Sequence, residues 1–173
     1  TSLTIDLSYT GLIGSAQSDF LEIGAVTAVI GQRRGTVGTF TGSKRLNIDF
    51  GTTTAAQVNV YGTATSAQDQ NRQPLRLRAV NASTDINVYG GTLAVSDDSS
   101  NSSTIGDILI ESGSINIGDN VTHTTLTQSG GTVNTQSSIT TVTLKGGTLN
   151  QYDSTSANTI TTLTVSNSGS LNH

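Results

Sequence analysis

Five glycines set the phase of the second half of this chain: Gly91, Gly113, Gly131, Gly147 and Gly169. They recur at the short, uneven intervals of a repeat protein, roughly 16–22 residues. Directly after each stands a hydroxyl residue, Thr92, Ser114, Thr132, Thr148 and Ser170. Two after each stands an aliphatic residue, Leu93, Ile115, Val133, Leu149 and Leu171. Five before the first four are Ile86, Ile108, Leu126 and Val142; in the fifth repeat that position slips by one to Leu163, which reads as a one-residue strand bulge. Three before the glycine come Val88, Ile110 and Leu144, with Gln128 as the exception. A further short strand is expected ahead of each coil, at Ile105, Val121, Ile139 and Ile160. A unit this short cannot bury an apolar face alone, so it must stack on its neighbours. Short strands with few inward aliphatics, turned at glycine corners where positive φ is open, predict parallel coils about 4.8 Å apart.

Weaker echoes extend the pattern upstream. Leu46, Ile48 and Phe50 precede Gly51, and Leu75 alternates with Leu77. Val58-Asn59-Val60-Tyr61-Gly62 and Ile86-Asn87-Val88-Tyr89-Gly90 are nearly the same pentapeptide. The expected architecture is therefore all-β: a small N-terminal β module over 1–43, then a solenoid over 44–173 with about 16–22 residues per coil. Within the first module, Leu3, Ile5, Leu7 and Tyr9 alternate as one strand face, followed by Phe20–Ile23 and Ala25–Ile30. The longer intervals between coils are taken up by polar insertions at 96–103 and 152–158.

Composition supports this and removes other classes. Hydrophobic residues make up 33%, aromatics 4% and charged residues 12%, too little apolar and charged material for a helical bundle or coiled coil. Disorder is disfavoured, because the chain has one Pro, little charge and abundant Val, Ile and Thr. No run reaches the length of a helical membrane span. With no Cys there is no disulfide or thiolate chemistry. A net charge of −4, three Phe and no Trp argue against nucleic acid as a partner. The start, Thr1-Ser2-Leu3-Thr4-Ile5, lacks a basic region and a long apolar stretch; an initiator Met trimmed before a small residue, without secretion, is expected.

Charge is unevenly placed. Residues 1–79 hold seven basic and five acidic side chains, +2 in all; residues 80–173 hold Lys145 against seven acidic ones, −6 in all. Arg76 and Arg78 alternate with Leu75 and Leu77 and so share an outward strand face. Together with Arg33, Arg34, Lys44, Arg45 and Arg72 they form the candidate docking surface for an acidic partner, weighed against scattered solubilising charge. Asp85 and Asp107 each stand six before an anchor glycine and are expected to stack, but a working pair of carboxylates is the less favoured use, since Thr125 and Thr141 follow in their column. Asp97-Asp98 is a polar insertion rather than a calcium loop. His123 has no second ligand at metal spacing, and His173 is terminal. Gly38–Lys44 has the wrong spacing and order for a phosphate loop. No catalytic residue, metal or cofactor is expected.

The phased repeats, covering roughly the last two-thirds of the chain, resemble the coils of parallel β-helix proteins. That group includes phage tailspikes and fibres, bacterial passenger adhesins and pectate-lyase-like enzymes. The resemblance implies the architecture; among the roles it covers, the start without a signal peptide, the charge split and a polar rod without an active site favour a virion structural protein, a capsid decoration, head fibre or tail spike that attaches through its N-terminal half and projects the solenoid. Its partners would be capsid or tail proteins of a larger particle and, at the projecting end, a host-surface glycan. Its location would be the virion, assembled in the host cytoplasm. A bacterial surface adhesin or passenger fragment, at the cell surface, is the alternative; a polysaccharide-active β-helix enzyme is a second. Leu171-Asn172-His173 lies inside a coil with no polar cap, so either another chain completes it, with a homotrimer as the expectation, or the protein continues beyond His173.

Overall fold

A computed structural model describes residues 2–5, 20–22, 27–30, 46–49, 57–60, 75–78, 80, 84–95, 103–152 and 157–173. Among these residues sixteen strands alternate between two sheets. In chain order they begin β1 (Ser2–Ile5), β2 (Phe20–Glu22), β3 (Thr27–Ile30), β4 (Leu46–Asp49), β5 (Gln57–Val60) and β6 (Leu75–Arg78). Next come β7 (Asp85–Val88), β8 (Thr92–Val95), β9 (Ser103–Ile110), β10 (Ser114–Ile117) and β11 (Val121–Gln128). The last five are β12 (Thr132–Thr135), β13 (Ile139–Leu144), β14 (Thr148–Gln151), β15 (Ile160–Val165) and β16 (Ser170–Asn172). Odd-numbered strands form one eight-stranded sheet in sequence order and even-numbered strands form the other. Every pairing is parallel, and there is no helix among the described residues. Each odd–even pair is thus one coil of a parallel β-solenoid, hydrogen-bonded to the coils before and after it.

The glycine phasing predicts the register. Ile86, Ile108, Leu126, Val142 and Leu163 form one row. Thr92, Ser114, Thr132, Thr148 and Ser170 form a second, and Leu93, Ile115, Val133, Leu149 and Leu171 a third. The twin pentapeptides also lie in register, Val58 on Ile86, Asn59 on Asn87 and Val60 on Val88. Upstream the row continues through Leu3, Ala28 and Val58 to Ile86. Each of those steps is longer than the roughly 16–22 residues expected per coil. The paired rows stay in register across these longer steps, so the extra residues fall between the strands. The boundary expected at residues 43 and 44 lies outside the described residues, and the described strands on either side of it pair in the same two sheets.

The core is a narrow column of aliphatics between the sheets. Val58, Leu75, Ile86, Leu93, Ile108, Ile115, Leu126, Val133, Val142 and Leu149 all belong to it and are buried. At the corner the backbone ladder is unbroken, because the amides of Ser114, Thr132 and Thr148 donate to the carbonyls of Gly91, Gly113 and Gly131. Gly131 shows why that residue is required. Its φ is +71°, and a Cβ there would sit 2.6 Å from the carbonyl oxygen of Gly113 in the coil below.

Three details of the expected pattern are corrected. The extra residue of the fifth repeat does not bulge a strand: Leu163 pairs squarely with Val142, and Val165 with Leu144. It enlarges the turn instead, where Asn167 rather than a glycine takes the left-handed conformation, at φ 56°. Asparagine enters that region more easily than other side chains, because its amide can bond locally. Second, the strand expected ahead of each coil is continuous with the next: β9 and β11 each run eight residues. Third, the partner of Ile105 and Ile139 is His123, whereas Val121 lies on Ser103. Both side chains point inward, being two apart on one strand, and apolar pattern alone favours the wrong one.

Candidate functional surface

Two of the seven candidate docking residues stand on a described strand. In β6, Leu75 and Leu77 are fully buried and Arg76 is half-buried on the opposite face, as their alternation predicts. Arg76 is already engaged within the molecule. It stands between Asn47 and Ala94 in strand register, and Arg78 stands opposite Asp49. Arg33, Arg34, Lys44, Arg45 and Arg72 lie outside the described residues, as does Asp97-Asp98.

The stacked aspartates are found where the spacing puts them. Ile86 on Ile108 sets Asp85 below Asp107, and the backbone amide of Asp107 donates to Oδ1 of Asp85 at 2.9 Å. One carboxylate of the pair therefore accepts a backbone amide from the middle of β9. The column continues upward as Thr125, Thr141 and Thr162.

The most regular polar feature is one that the sequence displays and hydrophobic phasing passes over. Three residues after each of the last four anchor glycines stands an asparagine: Asn116, Asn134, Asn150 and Asn172. Each amide donates to the one below: Asn134 Nδ2 to Asn116 Oδ1 at 2.6 Å, Asn150 to Asn134 at 2.8 Å, Asn172 to Asn150 at 2.7 Å. In the other sheet Asn87 donates to Asn59 at 3.0 Å. Parallel in-register strands bring like residues into rows, and asparagine is both donor and acceptor, so a row of it satisfies itself.

Inside the column, two departures from aliphatic character serve the corners. Gln128 occupies the row of Val88, Ile110 and Leu144 and is fully buried. Its Nε2 donates to the carbonyls of Gly130, Gly131 and Thr148 at 3.0–3.3 Å. Across the interior, His123, Thr135, Ser137 and Gln151 form a second buried polar cluster. His123 Nε2 lies 3.5 Å from Thr135 Oγ1, the Ser137 amide donates to that same oxygen at 3.1 Å, and Gln151 Nε2 donates to the Ser137 carbonyl at 3.2 Å. His123 Nδ1 and Gln151 Oε1 are left without a hydrogen bond. Burial lowers the His123 pKa from the usual 6.5 to about 4, so the ring is neutral at pH 7.

Among the described residues no helix is long and apolar enough to cross a membrane. The exposed large apolar side chains among them are Tyr152, Leu163 and Val165. The chain matches no family model, no curated protein and no solved structure, so its own geometry is what places it: it is a parallel β-solenoid.

Proposed function

We propose that the chain is a non-catalytic structural component of a virion, a capsid decoration, head fibre or tail spike, whose N-terminal half attaches it to the particle. The observation that carries this reading is the unbroken register of rows through both sheets. Aliphatic columns and amide ladders repeated coil after coil make a stiff, polar-faced stack, and the stacked aspartate pair is used for backbone support. Eight strands per sheet give a stack about 35 Å tall at the usual interstrand spacing. The charge asymmetry, +2 before residue 80 and −6 after it, supports attachment by the first half to an acidic surface.

The experiment is incorporation into particles assembled in the producing cell. The chain is expected to cosediment with purified virions, and Arg33→Glu, Arg34→Glu, Arg76→Glu and Arg78→Glu together are expected to reduce incorporation at least tenfold with the β circular-dichroism signal retained. Full incorporation of the reversed variant would remove the docking surface. Absence of the wild-type chain from particles would remove the virion reading.

A further inference from the structure

One layer of the core is polar, and its hydrogen bonds do not close within the protein. In the coil of β9 and β10 the inward places at this level belong to Ile105 and Ile117, both buried. One coil up, His123 stands in register over Ile105, and Thr135 over Ile117. In the coil above that, Ile139 stands over His123 and Gln151 over Thr135. A ring, a hydroxyl and an amide thus interrupt an aliphatic column. Threonine is also a shorter side chain than the isoleucine beneath it, so the layer exchanges apolar filling for polar atoms and room.

Each polar atom of the layer can be followed to its partner. Gln151 Nε2 donates to the Ser137 carbonyl at 3.2 Å, which orients the amide and leaves Oε1 as an acceptor with nothing to accept. Thr135 Oγ1 accepts from the Ser137 amide at 3.1 Å, so its own proton is free to be given away. His123 Nε2 is the acceptor beside it, at 3.5 Å. The neutral imidazole carries a single proton, and with Nε2 accepting, that proton sits on Nδ1. The layer therefore holds a donor, Nδ1–H, and an acceptor, Oε1, each without a hydrogen bond, on side chains that are 2% and 3% exposed. Desolvation penalises both as they stand. Water is the small molecule that accepts from one and donates to the other, across a separation that a direct bond does not span.

We infer that this layer is a binding site for one water molecule, which accepts from His123 Nδ1–H and donates to Gln151 Oε1 and is part of the core of every folded copy. The bridge ties β11 to β14, strands of opposite sheets in successive coils. Both of its partners are buried, so the water exchanges with solvent when the coils part, and its residence time measures the opening of the stack at this level. The inference concerns the interior and stands apart from the virion reading.

Heteronuclear NMR of the folded chain at neutral pH reads the ring directly. The expected result is the Nδ1–H tautomer, with a slowly exchanging Nδ1 proton that cross-relaxes with a long-lived water. A ring protonated on Nε2, or a Nδ1 proton without contact to water, would overturn the inference. A crystal structure in which ordered water is visible gives a second measurement on the unaltered chain. One water about 3 Å from both Nδ1 and Oε1 is expected there; direct contact of the two groups, or a dry gap between them, would overturn it. Gln151→Met then removes the acceptor at similar side-chain length, with amide-exchange protection of β9 and β11 verifying the fold. In that variant the water contact is expected to vanish and the Nδ1 proton to exchange at least tenfold faster. A contact that persists in Gln151→Met would show that Oε1 is not the second partner and would overturn the site; if the variant does not fold, the two measurements on the unaltered chain decide.

Discussion

The inner coils and the final coil are written in the same residues and have opposite surroundings. Leu126 and Val142 in the middle of the stack are wholly buried, while Leu163, in the same row, keeps 42% of its surface exposed. The strand, the inward aliphatic, the hydroxyl after the glycine and the asparagine beyond it recur in all three coils. In this architecture half of a residue's core is thus supplied by the next coil along, and stability is a property of the interfaces between repeats.

The largest test of that contrast is a paired truncation. Leu126→Ala removes a side chain packed from both sides and is expected to cost about 2–5 kcal/mol. Leu163→Ala, in the same row, should cost less than half as much. Chemical-denaturant midpoints of the two variants decide the matter; equal losses would mean that the final coil is covered in solution.

Acid sharpens the comparison from inside. His123 is neutral in the fold with a pKa of about 4, against 6.5 when unfolded. Between those values the unfolded chain binds more protons, so stability is complete above about pH 6.5, falls as the pH drops, and levels off below about pH 4. The full loss from this group is about 3 kcal/mol. Exchange protection of β11 to β13 should fall with acid, and His123→Leu should flatten the part of that slope lying between pH 6.5 and 4. A slope unchanged by the substitution would show that the ring is not the cause.

The smallest difference lies in the amide ladder. Asn150→Ala breaks two side-chain bonds and strands its neighbours, at about 1–2 kcal/mol, whereas Asn172→Ala breaks one bond at an exposed position, at about half that. Thermal midpoints should rank wild type, Asn172→Ala, Asn150→Ala. The reverse order would mean that the rung at Asn172 is the one the stack depends on.

How far the sequence predicts this structure depends on what each residue does for its neighbours. Rows anchored on Gly91, Gly113, Gly131 and Gly147 are legible because the corner demands positive φ, and at the last three it has no room for a Cβ, so the glycine marks register directly. Arg76 is legible as outward-facing because Leu75 and Leu77 flank it. His123 is not. Hydrophobicity selects Val121, and both face the core; what places a ring at 123 is the polar company of Thr135 and Gln151 on the facing strands, which no local pattern announces. Gln128 looks like an error in an aliphatic row until its three carbonyl partners are seen. The asparagines stand in plain view at a fixed offset, yet their value lies in bonding to each other from one coil to the next, a relation between repeats rather than within one. The docking arginines rest on charge placement, a property of the surface that folding does not constrain.

The direction of the interstrand hydrogen bonds has a mechanical consequence. They run along the stack, so a pull along that axis loads the coils in series, and the least-secured interface yields first while the others stay whole. Each release lets out slack equal to one repeat. The step from Leu126 to Val142 is the shortest and that from Ala28 to Val58 is nearly twice as long. The unequal connections that leave the folded register untouched therefore set how far the molecule lengthens as it gives way.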